Sequence, residues 1–332
     1  MEVQKKLLCV KHLKTSFFTN NGEVKAVDDV SYHVNEKEVI AIVGESGCGK
    51  SVTQMSVMQL VQTPPGRILG GEVIFDGSNL LDYGRKSKEM RSIRGAGLAM
   101  IFQEPMTSLN PVLTIGQQLT EVLRTHEKMS KSEAWGQGIK ALEAVGIPDA
   151  EERMKNYPFQ MSGGMRQRAL IAIAVACHSK LIIADEPTTA LDVTTQAQVM
   201  ELLLTLVEKF KTSIVIVTHN LGLVTRYADR VYVMYAGKII ESGTTEDILM
   251  RPKHPYTKGL ISCVPKLDSN KDDVLAPIRG TPPKLNDLPE GCAFRPRCPY
   301  AREICGTSAF PPLVRVGERE HYAACHLSGE VR

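Results

Sequence analysis

No stretch of this 332-residue sequence is apolar for long enough to cross a bilayer. The longest such run near its middle, Ala169 to Cys177, falls far short of the ~18–20 residues that a spanning helix needs. The opening residues, MEVQKKLLCV, hold no long apolar segment ahead of a small-residue cleavage site. The expectation is therefore a cytoplasmic protein rather than a secreted one. Net charge is scarce too, at +3 from 40 Lys and Arg against 37 Asp and Glu. Nucleic-acid binding calls for a concentrated basic face, so this balance argues against it. Internal repeats and low-complexity tracts are missing as well. If the chain works at a membrane, other proteins supply the spanning helices.

What is present is an ordinary globular balance, 43% hydrophobic and 23% charged, on a chain long enough for one large or two modest domains. Four short apolar runs bounded by polar or turn residues read as buried strands: Val39–Val43, Leu98–Phe102, Leu181–Ala184 and Ile214–Val217. Runs apolar on both faces imply a largely parallel sheet covered by helices, an α/β fold. Between Gln103 and Gln160 the strand signals fade. Ile115–Thr125 and Ser132–Val145 carry helical spacing instead, so an inserted helical subdomain is expected over about residues 104–163. After Arg251-Pro252 prolines become dense and strand runs vanish. This divides the chain into a main domain over residues 1–255 and a loop-rich extension over 256–332.

Directly after Val39–Val43 comes Gly44-Glu-Ser-Gly-Cys-Gly-Lys50-Ser51, a match to G-x-x-x-x-G-K-[ST]. Glycines let the backbone curl so that successive N–H groups face phosphate oxygens, and a helix N-terminus completes the anion nest. Gly44, Ser46, Gly47, Cys48, Gly49, Lys50, Ser51 and Val52 are thus the nucleotide-binding candidates. Lys50 would reach the β- and γ-phosphates, and the Ser51 hydroxyl would ligate Mg²⁺. A second site fits the first: Leu181-Ile-Ile-Ala-Asp185-Glu186 is an apolar strand ending in two acids. Asp185 would hold Mg²⁺ through water, and Glu186 would act on the attacking water as a general base.

Met161-Ser-Gly-Gly-Met165-Arg-Gln-Arg168 resembles the LSGGQ signature of the ABC ATPases, with Met161 and Met165 at its first and last positions. In that family the segment touches the γ-phosphate held by the opposite subunit, which would make Ser162, Gly163 and Gly164 nucleotide ligands in trans. The resemblance extends, in family order, to Gln103 as the glutamine contacting Mg²⁺ and the lytic water. It also covers Ala190-Leu191-Asp192 as the D-loop and His219 as the switch histidine. Phe17 matches the aromatic residue that stacks on adenine, with Phe18 adjacent. This likeness covers about residues 5–250.

A narrower resemblance spans the rest. His254-Pro-Tyr256-Thr-Lys-Gly-Leu260, Pro277-Ile-Arg-Gly280-Thr-Pro-Pro283 and Gly291-Cys-Ala-Phe-Arg-Pro-Arg-Cys298-Pro are similar to the oligopeptide/dipeptide importer ATPases, and Met165 to their D-type subunit. The resemblance implies an F-type ATPase partner, two membrane permeases, a peptide-binding protein and work at the cytoplasmic face of a membrane. Nickel importers share much of the pattern and remain an alternative. A soluble ABC ATPase acting on DNA or ribosomes, or a regulator without turnover, fits less well. The first usually carries a long coiled-coil insertion or two ATPase halves, and the second need not keep both Glu186 and His219.

Four cysteines, Cys292, Cys298, Cys305 and Cys325, crowd the end of the chain with spacing C-x5-C-x6-C-x19-C. Cytosolic proteins rarely keep disulfides, so such a group reads as a metal site. The close pairs that zinc favours are missing. By resemblance to the importer extensions the expectation is a [4Fe–4S] cluster stapling a Pro-rich tail, with Zn²⁺, or free or disulfide-bonded thiols, as alternatives and His326 a substitute ligand.

Overall fold

The computed structural model describes residues 5–189, 192–263, 277–317 and 319–329. The chain divides into two compact units. One holds Lys6–Val34, Val39–Leu81 and the chain from Val217 onward; the other holds Asn35–Glu38 and Asp82–Ile216.

The first unit opens with two 14-residue strands, β1 (Lys6–Thr19) and β2 (Gly22–Asn35). They are followed by β3 (Val39–Val43), α1 (Lys50–Val57), β4 (Gly66–Phe75) and the short β5 (Ser78–Asn79). A four-stranded sheet runs in the order β2-β1-β4-β5. β1 pairs antiparallel with β4, from Leu8 opposite Phe75 to Phe17 opposite Gly66. The period-2 alternation that would mark β1 is broken by register shifts on either side of Lys14, near His12 at a φ of 49°. That bulge hides the strand from sequence pattern. Ile40, Ala41, Ile42 and Val43 of β3, by contrast, are all buried, as a run apolar on both faces requires.

The second unit is the helical one. It runs α2 (Lys88–Ile93), β6 (Leu98–Ile101), α3 (Pro105–Ser108), α4 (Ile115–His126), α5 (Lys131–Ala144), α6 (Ala150–Arg153), α7 (Gly163–Val175), β7 (Leu181–Asp185), α8 (Val193–Phe210) and β8 (Ser213–Thr218). β6 and β7 pair in parallel, Leu98 opposite Leu181, and β8 flanks β7 on its other side. Between β6 and β7 there is no strand, as the fading strand signals led us to expect. α4 buries Ile115, Leu119 and Leu123, and α5 buries Ala134, Gly138 and Leu142, each a stripe at four-residue spacing. Both helices start on reciprocal caps, Thr114 with Gln117 and Ser130 with Glu133.

The remaining chain returns to the first unit as α9 (Leu221–Tyr227), β9 (Arg230–Tyr235), β10 (Lys238–Thr244), α10 (Thr245–Met250), α11 (Pro255–Ser262), α12 (Ile304–Thr307), β11 (Val314–Arg315) and β12 (Tyr322–Ala323). β9 pairs parallel with β3, Ile42 opposite Tyr232, and antiparallel with β10, so the fold is α/β with a mixed sheet. β12 and β11 extend that edge, two residues each, where the sequence had shown no strand run. The extension is otherwise loop-rich. It anchors through aromatics: Tyr256 and Phe294 pack on Tyr235 with ring centres 4.6 and 5.3 Å away, in a core shared with Val43, Val231 and Val233.

Candidate nucleotide-binding site

β3 ends at Val43 and the chain turns through Gly44–Gly49 into α1. Gly49 caps that helix at a φ of 106°, and a Cβ there would collide with the Ala26 carbonyl oxygen. At Gly44 a Cβ would strike the Met234 carbonyl, so both outer glycines are required by space. Ser46 and Gly47 are exposed at the crest of the loop, while Cys48 is buried with its thiol pKa pushed up by burial. Gly237 N–H donates to the Cys48 carbonyl at 2.9 Å and ties the loop to the end of β9. Lys50 is only 4% exposed, and its Nζ donates to the carbonyls of Gly44 at 2.8 Å and Glu45 at 3.0 Å. The ammonium therefore lies inside the loop's own curl, where a phosphate charge would be met. Ser51 and Val52 follow in the first turn of α1. His219 lies exposed just after β8, ahead of Asn220, which caps α9 by accepting from Gly222 N–H at 2.9 Å.

Phe17 is half-buried against Gly66, its strand partner. Phe18 is 45% exposed with the Arg67 guanidinium 5.5 Å above its ring.

In the second unit β7 is buried throughout and delivers Asp185 and Glu186 at its end. Glu186 is 8% exposed and takes a φ of 45°, a left-handed conformation that costs a non-glycine residue about 1–2 kcal/mol. Such strain persists where surrounding bonds hold it. Two do here: Gln103 Nε2 donates to Glu186 Oε2 at 3.0 Å, and Thr189 Oγ1 donates to the same oxygen at 2.8 Å. The structure thus brings together Gln103 and Glu186, 83 residues apart. Thr189 was missed from sequence; its only signal was a hydroxyl three residues past an acid.

Ser162 caps α7, its hydroxyl accepting from Met165 N–H at 3.3 Å, and Ser162 and Gly163 are exposed. Gly163 and Gly164 form the first turn, where backbone N–H groups lack helical partners. Asp192 likewise caps α8, accepting from Thr195 N–H at 3.0 Å and Thr195 Oγ1 at 2.7 Å. Ala190 and Leu191, expected beside it in the D-loop, lie outside the described residues.

The cysteine expectation is corrected. Cys292, Cys298, Cys305 and Cys325 do line one pocket with His254, Phe294, Pro311 and His326. Its cavity is about 10 Å³, room for roughly one water and far too little for a cube of four irons. Among the described residues no group of three or more His, Cys, Asp or Glu side chains is placed to hold a metal ion. All four cysteines are free; burial pushes the thiols of Cys292 and Cys298 up and that of Cys325 to about 11. The four are thiols around a narrow crevice, Cys305 buried and the others half-buried, and the iron–sulfur expectation does not hold.

Sequence reasoning also missed what surrounds Glu45. The Arg297 guanidinium grips its carboxylate at 2.6 and 2.8 Å, and the hydrogen bonds to Glu45 keep Arg297 firmly charged. Partners 252 residues apart leave no trace in local pattern.

Residues 27–189 match the family described as ABC transporter, and residues 240–305 that described as oligopeptide/dipeptide transporter, C-terminal region. Over 322 residues, 97% of this chain and 89% of the relative, the sequence is 50% identical to the oligopeptide transport ATP-binding protein OppD of Bacillus subtilis (strain 168). It is 52% identical over 300 residues, 90% of this chain and 89% of the relative, to the dipeptide transport ATP-binding protein DppD of the same organism. Among solved structures, a dimeric ATP-binding cassette in a post-hydrolysis state bound to ADP and Pi superposes with a TM-score of 0.64 at 26% identity, covering 72% of this chain and 98% of that one.

Proposed function

This chain belongs to the ABC transporter family, and from that premise we propose that it is the ATP-hydrolysing motor of an importer for oligopeptides or dipeptides. The observation that carries the reading is half-identity to an oligopeptide transport ATP-binding protein over 97% of the chain, cassette and extension together. Among the described residues no helix is long and apolar enough to cross a membrane, so permease partners supply the path for cargo. The chain works peripherally, at the cytoplasmic face. Its cassette is residues 1–255, with the helical subdomain at about 104–163, and residues 256–332 are the importer extension.

Each residue has a task. The N–H groups of the Gly44–Ser51 loop and the Lys50 ammonium hold the phosphates of ATP. Phe17 stacks on the base. Glu186, held by Gln103 and Thr189, takes the proton of the attacking water, and His219 steadies the terminal phosphate. Ser51, Gln103 and Asp185 offer hydroxyl, amide and carboxylate oxygens, a donor set suited to Mg²⁺, which neutralises phosphate charge when bound. Ser162, Gly163, Gly164 and Asp192 complete the site of a facing ATPase, an F-type subunit, whose closure on ATP drives the permeases. A peptide-binding protein delivers cargo to them.

Two measurements test this. Purified chain should bind ATP, and Lys50→Ala should weaken binding at least about a hundredfold because phosphate charge is left uncompensated. Deleting the chain from its host should abolish uptake of labelled dipeptides or of labelled tri- and tetrapeptides while sparing free amino acids. Unchanged peptide uptake would sink the transport assignment.

A further inference from the structure

All three polar groups of Glu45 in the phosphate loop are engaged. Its backbone N–H donates to the Tyr256 hydroxyl at 2.8 Å, and its carbonyl accepts from Lys50 Nζ at 3.0 Å. Its carboxylate takes Arg297 Nη1 at 2.6 Å and Nη2 at 2.8 Å, a planar two-point grip. Tyr256 and Arg297 both come from the importer extension, and every residue in this network lies within one compact unit.

Arg297 is itself fixed. Its Nε donates to the Arg279 carbonyl at 3.0 Å, its Nη1 reaches the Tyr235 hydroxyl at 3.4 Å, and its side chain is 4% exposed against 26% for Glu45. The guanidinium carbon stands 5.9 Å from the ring centres of both Tyr235 and Phe294. The residue sits in a short turn, Arg295–Arg297, directly before Cys298 of the thiol-lined crevice. So rigid a mount points away from a casual surface ion pair, which would be mobile and solvated.

The network leads to Lys50. Before phosphate arrives the ammonium is held by the carbonyls of residues 44 and 45, and the position of residue 45 is set by the extension. We propose that Arg297 is a positioning residue for nucleotide binding, through which the C-terminal extension holds the phosphate loop in its ATP-receptive shape by way of Glu45. The inference rests on the reading of Gly44–Ser51 as an ATP-phosphate loop. By linkage the coupling runs both ways, so nucleotide on the loop also steadies the extension.

The test uses the full chain as Arg297→Gln, Glu45→Gln, the double variant and Arg297→Lys, with ATP affinity by calorimetry and a melting curve for each. Each Gln variant should weaken ATP at least about tenfold, and the double variant should be no weaker than the worse single one, since both break one link. Arg297→Lys keeps the charge without the fork and should recover only part of the loss. ATP should raise the melting temperature of wild type more than that of the folded Gln variants. Should Arg297→Gln fail to fold, Glu45→Gln decides. Affinities within about twofold of wild type in folded variants, or losses that add in the double variant, overturn the inference. Lys50→Ala separates the two claims: if it binds ATP normally the loop reading itself fails, whereas loss there with normal binding by the Gln variants removes only the role of Arg297.

Discussion

At the scale of the residue, Glu186 combines a strained backbone, near-complete burial and two donors on one carboxylate oxygen. Glutamine in its place still presents an oxygen to Gln103 and Thr189, so the geometry survives while the charge does not. Glu186→Gln should therefore bind ATP as wild type does and hydrolyse it at least about 10²-fold more slowly, accumulating a closed ATP-bound dimer. Turnover near wild type in the assembled transporter would show that another group takes the proton. Asp185, Glu186 and Lys50 were all legible in sequence, because each belongs to a motif whose spacing is short. Thr189, Tyr256 and Arg297 were not, because their partners are reached only through folding.

At the scale of the element, helix starts hold several of the proposed site residues, Ser162 and Asp192 as N-caps among them. Ser162 caps α7, and an N-cap serine contributes about 1 kcal/mol. Ser162→Ala should cost the isolated chain that much and leave its ATP affinity unchanged. In the two-ATPase complex, turnover should fall tenfold or more if the exposed hydroxyl serves the facing subunit. A fall no larger than the lost stability explains would reduce Ser162 to a cap. α11 has a cap of a different kind, the buried His254, whose Nδ1 accepts from Tyr256 N–H at 3.0 Å. Burial lowers its pKa from 6.5 to about 3. The unfolded chain takes up that proton first as the medium acidifies. The contribution is intact above pH 6.5 and lost progressively as pH falls towards 3. Urea titrations should show wild-type stability declining across that window more steeply than that of His254→Asn, which caps without titrating. Parallel slopes would remove His254 as the cause.

At the scale of the whole molecule, one chain carries an exposed Ser162-Gly163 turn and a phosphate loop. If each faces a second ATPase, purified chain alone should be mostly monomeric, and its hydrolysis per chain should rise with concentration or on adding the F-type partner. Rapid hydrolysis that is independent of concentration would count against a shared site. Met165, where the family signature has Gln, is the position at which the two composite sites would differ.

The buried strands β3, β6, β7 and β8 and helices α4 and α5 were readable because runs apolar on both faces, or at four-residue spacing, are local properties. β1 escaped because register shifts beside Lys14 break its alternation, and β2 because its clean alternation is confined to Val30–Val34, beyond Asp29 at a φ of 64°. The Gly44–Ser51 motif and the Asp185-Glu186 pair are visible in the sequence by itself, because each is a short contiguous pattern: a glycine curl ending in a lysine, and an apolar run ending in two acids. Whether four crowded cysteines can enclose a metal depends on how folding places their sulfurs relative to one another, and among the described residues no such group is placed to hold an ion. That Arg297 reaches Glu45 across 252 residues was likewise decided only when the extension's aromatics docked on Tyr235 and buried the guanidinium beside the loop.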